Sequence, residues 1–178
     1  MKPLCCTMHT GGRELLGATG ERRRHVTGDR QQVGQGAVQG HGHSTDFAVI
    51  THFDWSRWSC DYWASDATVL PTSDTPLHCA LLLNTRRDMR WTEYPEVVLH
   101  GHAFETEAEA AACGYPISTE ETLFSTRDDT DALMTLVDRF PYPQHDIFIR
   151  KAHGFLLLAG STAAAKATFD ARMKPHLI

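Results

Sequence analysis

The sequence predicts an α/β sandwich, because short apolar strands alternate with amphipathic helices along most of the chain. Its 178 residues suggest one domain, and its 42% hydrophobic and 22% charged residues are typical of an ordinary soluble domain. The net charge of −5 argues against nucleic acid as a partner. No run of roughly 18 apolar residues is present, so we expect no membrane span.

The composition changes near residue 45. Residues 1–45 are rich in Gly, Gln, Arg and Thr and poor in large apolar residues, so we expect a diverged, poorly ordered segment there. Residues 46–178 carry the regular patterns and are expected to form the domain. The five cysteines show neither a CxxC pair nor a disulfide pattern, which indicates reduced thiols and a cytoplasmic protein.

The first half of this domain contains three predicted elements. Residues 46–51 (DFAVIT) are apolar and β-branched between polar ends, which predicts a strand. Thr72 or Ser73 can cap a helix that begins near Thr75. Residues 95–102 (PEVVLHGH) form a compact apolar run of the kind found in central strands.

The second half is more regular. Helix formers end at a glycine, an amphipathic pattern follows, and two apolar runs flank a short polar turn before a last alanine-rich helix. The predicted elements are a helix at 105–113 stopped by Gly114, a helix at 128–140, strands at 146–150 and 155–158, and a helix at 162–173.

Two histidines at the end of the predicted strand point to a metal site. His100 and His102 are two residues apart, so their side chains project from the same face of the strand, while Gly101 leaves the other face open. Imidazole nitrogen is a preferred ligand of zinc and similar divalent ions. His153, in a tight turn that ends at Gly154, is the best candidate for the third ligand. Three histidines leave a metal position open for water or substrate.

Other histidine arrangements compete with this one. An HxH pair is common by chance in a chain with eleven histidines. His41 and His43 form a rival pair, but they lie in a glycine-rich stretch with no strand to orient them. His78, on the capped helix, is expected either on the helix surface or behind the metal ligands.

Four blocks of sequence, in this order, resemble the class II aldolase/adducin family. They are residues 71–78 (PTSDTPLH), 97–102 (VVLHGH), 116–124 (PISTEETLF) and 150–155 (RKAHGF). The likeness extends over about residues 47–169 and is strongest after residue 70. It implies a three-layer α/β/α sandwich around a mainly antiparallel central sheet, and a homo-oligomer, commonly a tetramer.

The resemblance also implies roles for individual residues. His100, His102 and His153 would bind zinc. Asp74 stands where the family usually has a glutamate that shuttles protons, and its pKa would need to be raised by partial burial. Thr72 and Ser73 fall where the family's hydroxyl groups bind a substrate phosphate.

The chain departs from the family in two respects. Asp74 is one methylene shorter than glutamate, so its carboxylate would lie about 1.5 Å further back. The family's phosphate loops should lie near residues 17–20 and 50–53, where the usual asparagine and Thr-Pro-Ser-Gly patterns are missing. We therefore expect an incomplete phosphate site on the N-terminal side.

The function that the resemblance implies belongs to carbohydrate metabolism. We expect a zinc-dependent lyase that cleaves a small hydroxy-ketone or sugar phosphate through a metal-stabilised enediolate. A dehydratase, epimerase or decarboxylase could use the same metal site. A non-catalytic binding module of the adducin type is the alternative outside enzymes, and loss of the N-terminal loops favours it, whereas the three histidines argue against it.

Overall fold

In a computed structural model of the chain, the described residues are 48–64, 70–82 and 91–176, together with short strands at 4–5, 8–9 and 23–27. The rest of residues 1–45 lies outside them, so the predicted division of the chain near residue 45 stays a prediction. The rival pair His41 and His43 and the expected phosphate loop at 17–20 also lie outside the described residues.

The described part of the chain is an α/β structure in which most strand pairs are antiparallel. Its strands are β1 (Leu4–Cys5), β2 (Met8–His9), β3 (Arg23–Thr27), β4 (Ala48–Asp54), β5 (Ser59–Ala64), β6 (Val97–Gly101), β7 (Ile147–Arg150) and β8 (Gly154–Ala159). Its α-helices are α1 (Thr75–Leu82), α2 (Glu107–Cys113), α3 (Arg127–Arg139) and α4 (Thr162–Thr168).

These strands form two sheets. One has the order β1-β4-β5-β3 and is built around the β4–β5 hairpin. The other has the order β2-β6-β8-β7, in which β2 runs parallel to β6 and the remaining pairs are antiparallel. The second sheet contains the strand that carries His100 and leads directly into His102.

Alternate side chains of the second sheet enter two different apolar clusters. Val98 and Phe148 pack in one cluster with side chains of α1 and α3. Leu99 and Ile149 pack in the other with side chains of α2 and α4. Every residue of β7 and β8 is buried, which explains why these strands read as continuous apolar runs instead of alternating ones.

Local sequence signals explain the helix ends. Thr106 and Glu109 form a capping box at the start of α2, and Gly114 ends the helix in a left-handed conformation with φ 71°, as predicted. Thr126 caps α3. The predicted last helix is α-helical only as far as Thr168, after which a π-helical turn and a 3-10 turn follow. No helix in the described part of the chain is long and apolar enough to cross a membrane.

Candidate metal centre

The three predicted histidine ligands lie together. His100, His102 and His153, with Asp74, each offer one potential ligand atom, and these atoms all lie within 4.8 Å of one another. Asp74, His100 and His153 are buried, while His102 is exposed. The cluster therefore has one solvent-facing member, which marks the side from which a small molecule can reach it.

Strand β6 brings the first two histidines together. His100 lies in the strand opposite Leu156 of β8, and His102 follows the last residue of the strand. Their ring centroids are 5.0 Å apart, as expected for side chains at positions i and i+2. The two-residue spacing of the HGH motif therefore places the two imidazole rings next to each other.

His153 reaches the same place through the turn between β7 and β8. Ala152 has a positive φ of 59°, and the His153 backbone N–H donates to the Arg150 carbonyl at 3.0 Å. Gly154 follows with φ 132°, and a Cβ there would lie 2.1 Å from the Gly101 carbonyl oxygen. Only glycine allows β8 to approach β6 this closely. The His153 ring centroid is 5.0 Å from that of His100 and 5.5 Å from that of His102.

Asp74 reaches the cluster from a third element. It directly precedes α1, and its carbonyl accepts from the His78 N–H, so it occupies the N-cap position of the helix. Aspartate there usually caps the helix through its side chain. In this chain the carboxylate instead lies 3.0 Å from His100 Nδ1 through Oδ2 and 3.6 Å from His153 Nε2 through Oδ1.

The electrostatics keep Asp74 ionised. Burial raises the pKa of this carboxyl, but its contacts with His100 and His153 outweigh burial and hold the pKa well below its ordinary value. The expected upward shift is therefore wrong for this arrangement, because the sequence could not show that two imidazoles would face the carboxylate.

The donor set fits a divalent ion. Two donors on a tetrahedral zinc with bonds of about 2.1 Å lie about 3.4 Å apart, and the Asp74 Oδ1 to His153 Nε2 distance of 3.6 Å is close to that spacing. His153 Nδ1 is buried without a hydrogen-bond partner among the described residues. Imidazole and carboxylate donors together suit zinc and similar divalent ions. The structure adds Asp74 to the possible ligands, a role that the sequence did not indicate.

A neighbouring polar network was missed by the sequence analysis. The Ser125 hydroxyl donates to Asp74 Oδ1 at 3.1 Å, and the Ser125 N–H donates to Asp129 Oδ2 at 3.0 Å. Asp129 forms a fully buried ion pair with Arg150. Ser125 and Asp129 both follow the PISTEETLF block, but nothing in their spacing links them to a carboxylate 51 residues earlier in the chain.

The other predicted residues lie close by. Thr72 Oγ1 accepts from the Asp74 N–H at 3.3 Å, and the Thr72 carbonyl accepts from the N–H and hydroxyl of Thr75. Ser73 is exposed. His78 is buried, with its ring centroid 6.2 Å from that of His100. Its predicted position on the helix surface is therefore wrong, and its position behind the metal ligands stays a prediction that depends on the proposed site.

The chain matches no protein-family model, and no curated protein sequence matches it. The family interpretation therefore depends on the sequence blocks and on the chemistry of this cluster.

Proposed function

We propose that the chain is a metal-dependent lyase of the class II aldolase type that acts on a small hydroxy-ketone. The observation that carries the proposal is the convergence of His100, His102, His153 and Asp74 from three separate elements. Incidental histidines on a surface have no reason to meet a buried carboxylate, because burying a charge is costly unless it is paired or coordinates a metal.

The three histidines, with Asp74, would hold the ion. When bound, a divalent ion would supply a Lewis acid that polarises the substrate carbonyl and accepts the developing negative charge. His100 and His153 are held on the buried side of the cluster, and His102 lies on the exposed side. The substrate would approach from the side of His102, since that is where the cluster meets solvent.

Asp74 would act as the proton shuttle. A carboxylate there can accept the proton of a substrate hydroxyl while the adjacent carbon–carbon bond breaks, and it can return the proton to the carbon of the released ketone. The lowered pKa of Asp74 opposes this role, because a proton shuttle works best with a pKa near the operating pH. The shuttle role is therefore carried by the family resemblance alone. Contacts with His100 and Ser125 fix the carboxylate in place. Its shorter reach compared with glutamate supports the alternatives that use the same metal, namely a dehydratase, an epimerase or a decarboxylase.

Thr72 and Ser73 would bind an anionic end of the substrate. Both precede the first turn of α1, whose backbone N–H groups and positive end of the helix dipole favour a phosphate. Residues 50–53, the expected second phosphate loop, lie within strand β4. We therefore include non-phosphorylated hydroxy-ketones among the candidate substrates.

The architecture proposed for this function is a three-layer α/β/α sandwich that assembles as a homotetramer. The two apolar clusters on the β6-β8-β7 sheet, one shared with α1 and α3 and the other with α2 and α4, support the layering. The homotetramer is carried over from the family resemblance.

The first test is the metal content of the purified protein. We expect about one zinc or other divalent ion per chain, and loss of the ion in a His100→Ala, His102→Ala double variant. A His52→Ala, His176→Ala variant is the matched control, because both histidines are exposed and lie outside the cluster. A wild type that neither contains nor takes up a metal would contradict the proposal and favour a non-catalytic binding module.

The second test separates the reactions. The metal-loaded protein is incubated with ketose phosphates and with the corresponding free ketoses, and products are identified by NMR. Cleavage to an aldehyde and a smaller ketone supports the lyase. Loss of water, inversion at one carbon or release of carbon dioxide would instead assign the dehydratase, the epimerase or the decarboxylase.

A further inference from the structure

Ser125 has all of its polar groups engaged at the edge of the metal centre. Its hydroxyl donates to Asp74 Oδ1 at 3.1 Å, its N–H donates to Asp129 Oδ2 at 3.0 Å, and its carbonyl accepts from the Trp58 indole N–H at 2.9 Å. It adopts a positive φ of 66°, which is uncommon for a residue other than glycine. Such a conformation persists only where the surroundings hold it.

We propose that Ser125 is a positioning residue that orients the Asp74 carboxylate towards the metal. The inference rests on the proposed metal centre but not on the lyase reaction. A carboxylate attached by two rotatable bonds can turn either oxygen to the histidines. The Ser125 hydroxyl holds the side-chain rotamer and the carboxylate plane in which one oxygen lies on the side of His153 and the other on the side of His100.

The buried ion pair between Asp129 and Arg150 holds Ser125, and through it the Asp74 carboxylate, in this orientation. Asp129 is fully buried and Arg150 is 2% exposed, and the Arg150 guanidinium also donates to the Asp129 carbonyl at 2.7 Å and to Thr122 Oγ1 at 2.6 Å. Asp129 fixes the Ser125 backbone, and the Arg150 carbonyl holds the N–H of His153. One ion pair therefore anchors both the residue that orients Asp74 and the turn that carries a metal ligand.

Groups that hydrogen-bond to a metal ligand, without touching the metal themselves, contribute strongly to metal affinity. Removing such a partner typically weakens binding about 10- to 100-fold, because the ligand then samples orientations that do not face the ion. Loss of the Ser125 hydroxyl should therefore weaken zinc binding by a factor in that range while the fold persists, since the backbone contacts to Asp129 and Trp58 do not need the side chain.

The test is zinc affinity of the full chain, measured by competition with a chromophoric chelator. The main variant is Ser125→Gly, which keeps the N–H and carbonyl and suits the positive φ. Ser125→Ala removes the same hydroxyl but keeps the Cβ. Ser161→Ala is the matched control, because the Ser161 hydroxyl forms a 3.1 Å hydrogen bond at the start of α4 instead of at the metal centre. We expect 10- to 100-fold weaker zinc binding in both Ser125 variants and no change in the control.

A double-variant cycle with Asp74→Asn distinguishes positioning from a general structural effect. If Ser125 acts through the Asp74 carboxylate, Ser125→Gly should change zinc affinity less than about two-fold in the Asp74→Asn background. The absorption spectrum of the Co²⁺-loaded protein should also change between wild type and Ser125→Gly, since the ligand field reports the donors directly.

Three results would overturn the inference. Unchanged zinc affinity in a folded Ser125→Gly variant would show that the hydroxyl does not orient the ligand. An equal loss with and without the Asp74 carboxylate would show that Ser125 acts through the fold. A wild type without zinc affinity would remove the metal centre itself. A zinc-binding wild type that cleaves no ketose, with the Ser125 effect intact, would instead contradict only the lyase proposal.

Discussion

Two buried carboxylates at helix starts, Asp74 and Asp129, have opposite surroundings. Asp129, in the first turn of α3, is fully buried and meets a guanidinium, a threonine hydroxyl and a backbone N–H. Asp74, immediately before α1, is 3% exposed and meets two imidazoles and one serine hydroxyl. The burial is nearly the same, so burial alone does not separate the two residues.

The difference lies in what the partners can do. Arg150 stays charged at every ordinary pH and has no lone pair to offer a metal, so it can only neutralise Asp129. His100 and His153 each offer a ring nitrogen to a divalent ion, and the ionised Asp74 carboxylate offers an oxygen. The comparison therefore predicts a metal-binding role for Asp74, whose partners can bind an ion, and a structural role for Asp129, whose partner is a permanent cation.

Removal of the Asp129 carboxylate is expected to have the largest effect. Asp129→Ala leaves the Arg150 charge buried without its partner, and we expect the free energy of unfolding to fall by about 3–5 kcal/mol. Urea unfolding of the metal-free protein measures it. Asp128→Ala is the control, because Asp128 is exposed on the same turn, and it should cost less than about 1 kcal/mol. A similar small cost for Asp129→Ala would contradict a structural role for the ion pair.

The next largest effect concerns the backbone that brings His153 to the cluster. Gly154→Ala places a Cβ 2.1 Å from the Gly101 carbonyl oxygen at a positive φ, so we expect a loss of about 2–4 kcal/mol together with weaker metal binding. Gly160→Ala is the matched control, since a Cβ there meets no atom within 4 Å. Thermal unfolding and zinc titration check both variants, and equal behaviour of the two would refute the close approach of β8 to β6.

Much of the histidine cluster could be predicted because its signals are local. The HGH spacing needs only the two-residue period of a strand, and His153 followed by Gly154 marks a tight turn. The end of α2 at Gly114 follows from a nearby helix-stop signal. Helix α1 begins at Thr75 as predicted, but Asp74 occupies its N-cap position, so the predicted cap at Thr72 or Ser73 is wrong. Each of these predictions depends on residues that are close together in the chain.

The surroundings of Asp74 could not be predicted, because they depend on contacts between distant segments. Ser125 is 51 residues from Asp74, and Arg150 is 21 residues from Asp129. No periodic pattern connects such positions, and an isolated serine or arginine is usually exposed. The direction of the Asp74 pKa shift also follows from those contacts. The arrangement of the strands in two sheets likewise depends on pairing that sequence patterns do not specify.

Removal of the Asp74 charge should affect metal binding more than the stability of the metal-free protein. We expect Asp74→Asn to destabilise the metal-free protein less than Asp129→Ala, because asparagine can keep hydrogen bonds to its neighbours and leaves no permanent charge unpaired. Zinc at about 100 times its dissociation constant stabilises a protein by about 2.7 kcal/mol. A 10- to 100-fold loss of affinity would remove about 1.4 kcal/mol or more of that gain.

The measurement for Asp74→Asn is the free energy of unfolding with and without zinc. Wild type and Ser161→Ala should both gain stability with zinc, since Ser161 lies at the start of α4. An Asp74→Asn variant that gains as much as wild type would show that the carboxylate contributes nothing to metal binding, leaving the three histidines as the ligand set.

The smallest expected effect concerns the two buried thiols of Cys60 and Cys79. Burial raises the pKa of the Cys60 thiol to about 11 and that of Cys79 to about 12, and nearby acidic groups add to both shifts. Because the folded-state pKa values lie above the ordinary value of 9.0, these thiols contribute stability that is present below pH 9 and lost as pH rises further.

At pH 9 the expected loss in the free energy of unfolding is about 0.4 kcal/mol for each thiol, since half of the unfolded-state thiols are then ionised. Unfolding in urea at pH 7 and pH 9 should show this decline in wild type. The decline should be slightly smaller in Cys113→Ala, because burial also raises the pKa of the less buried Cys113 thiol, and smallest in Cys60→Ala, Cys79→Ala. An identical decline in that double variant would mean that burial does not hold these thiols neutral, and their contrast with the ionised Asp74 would then need another cause.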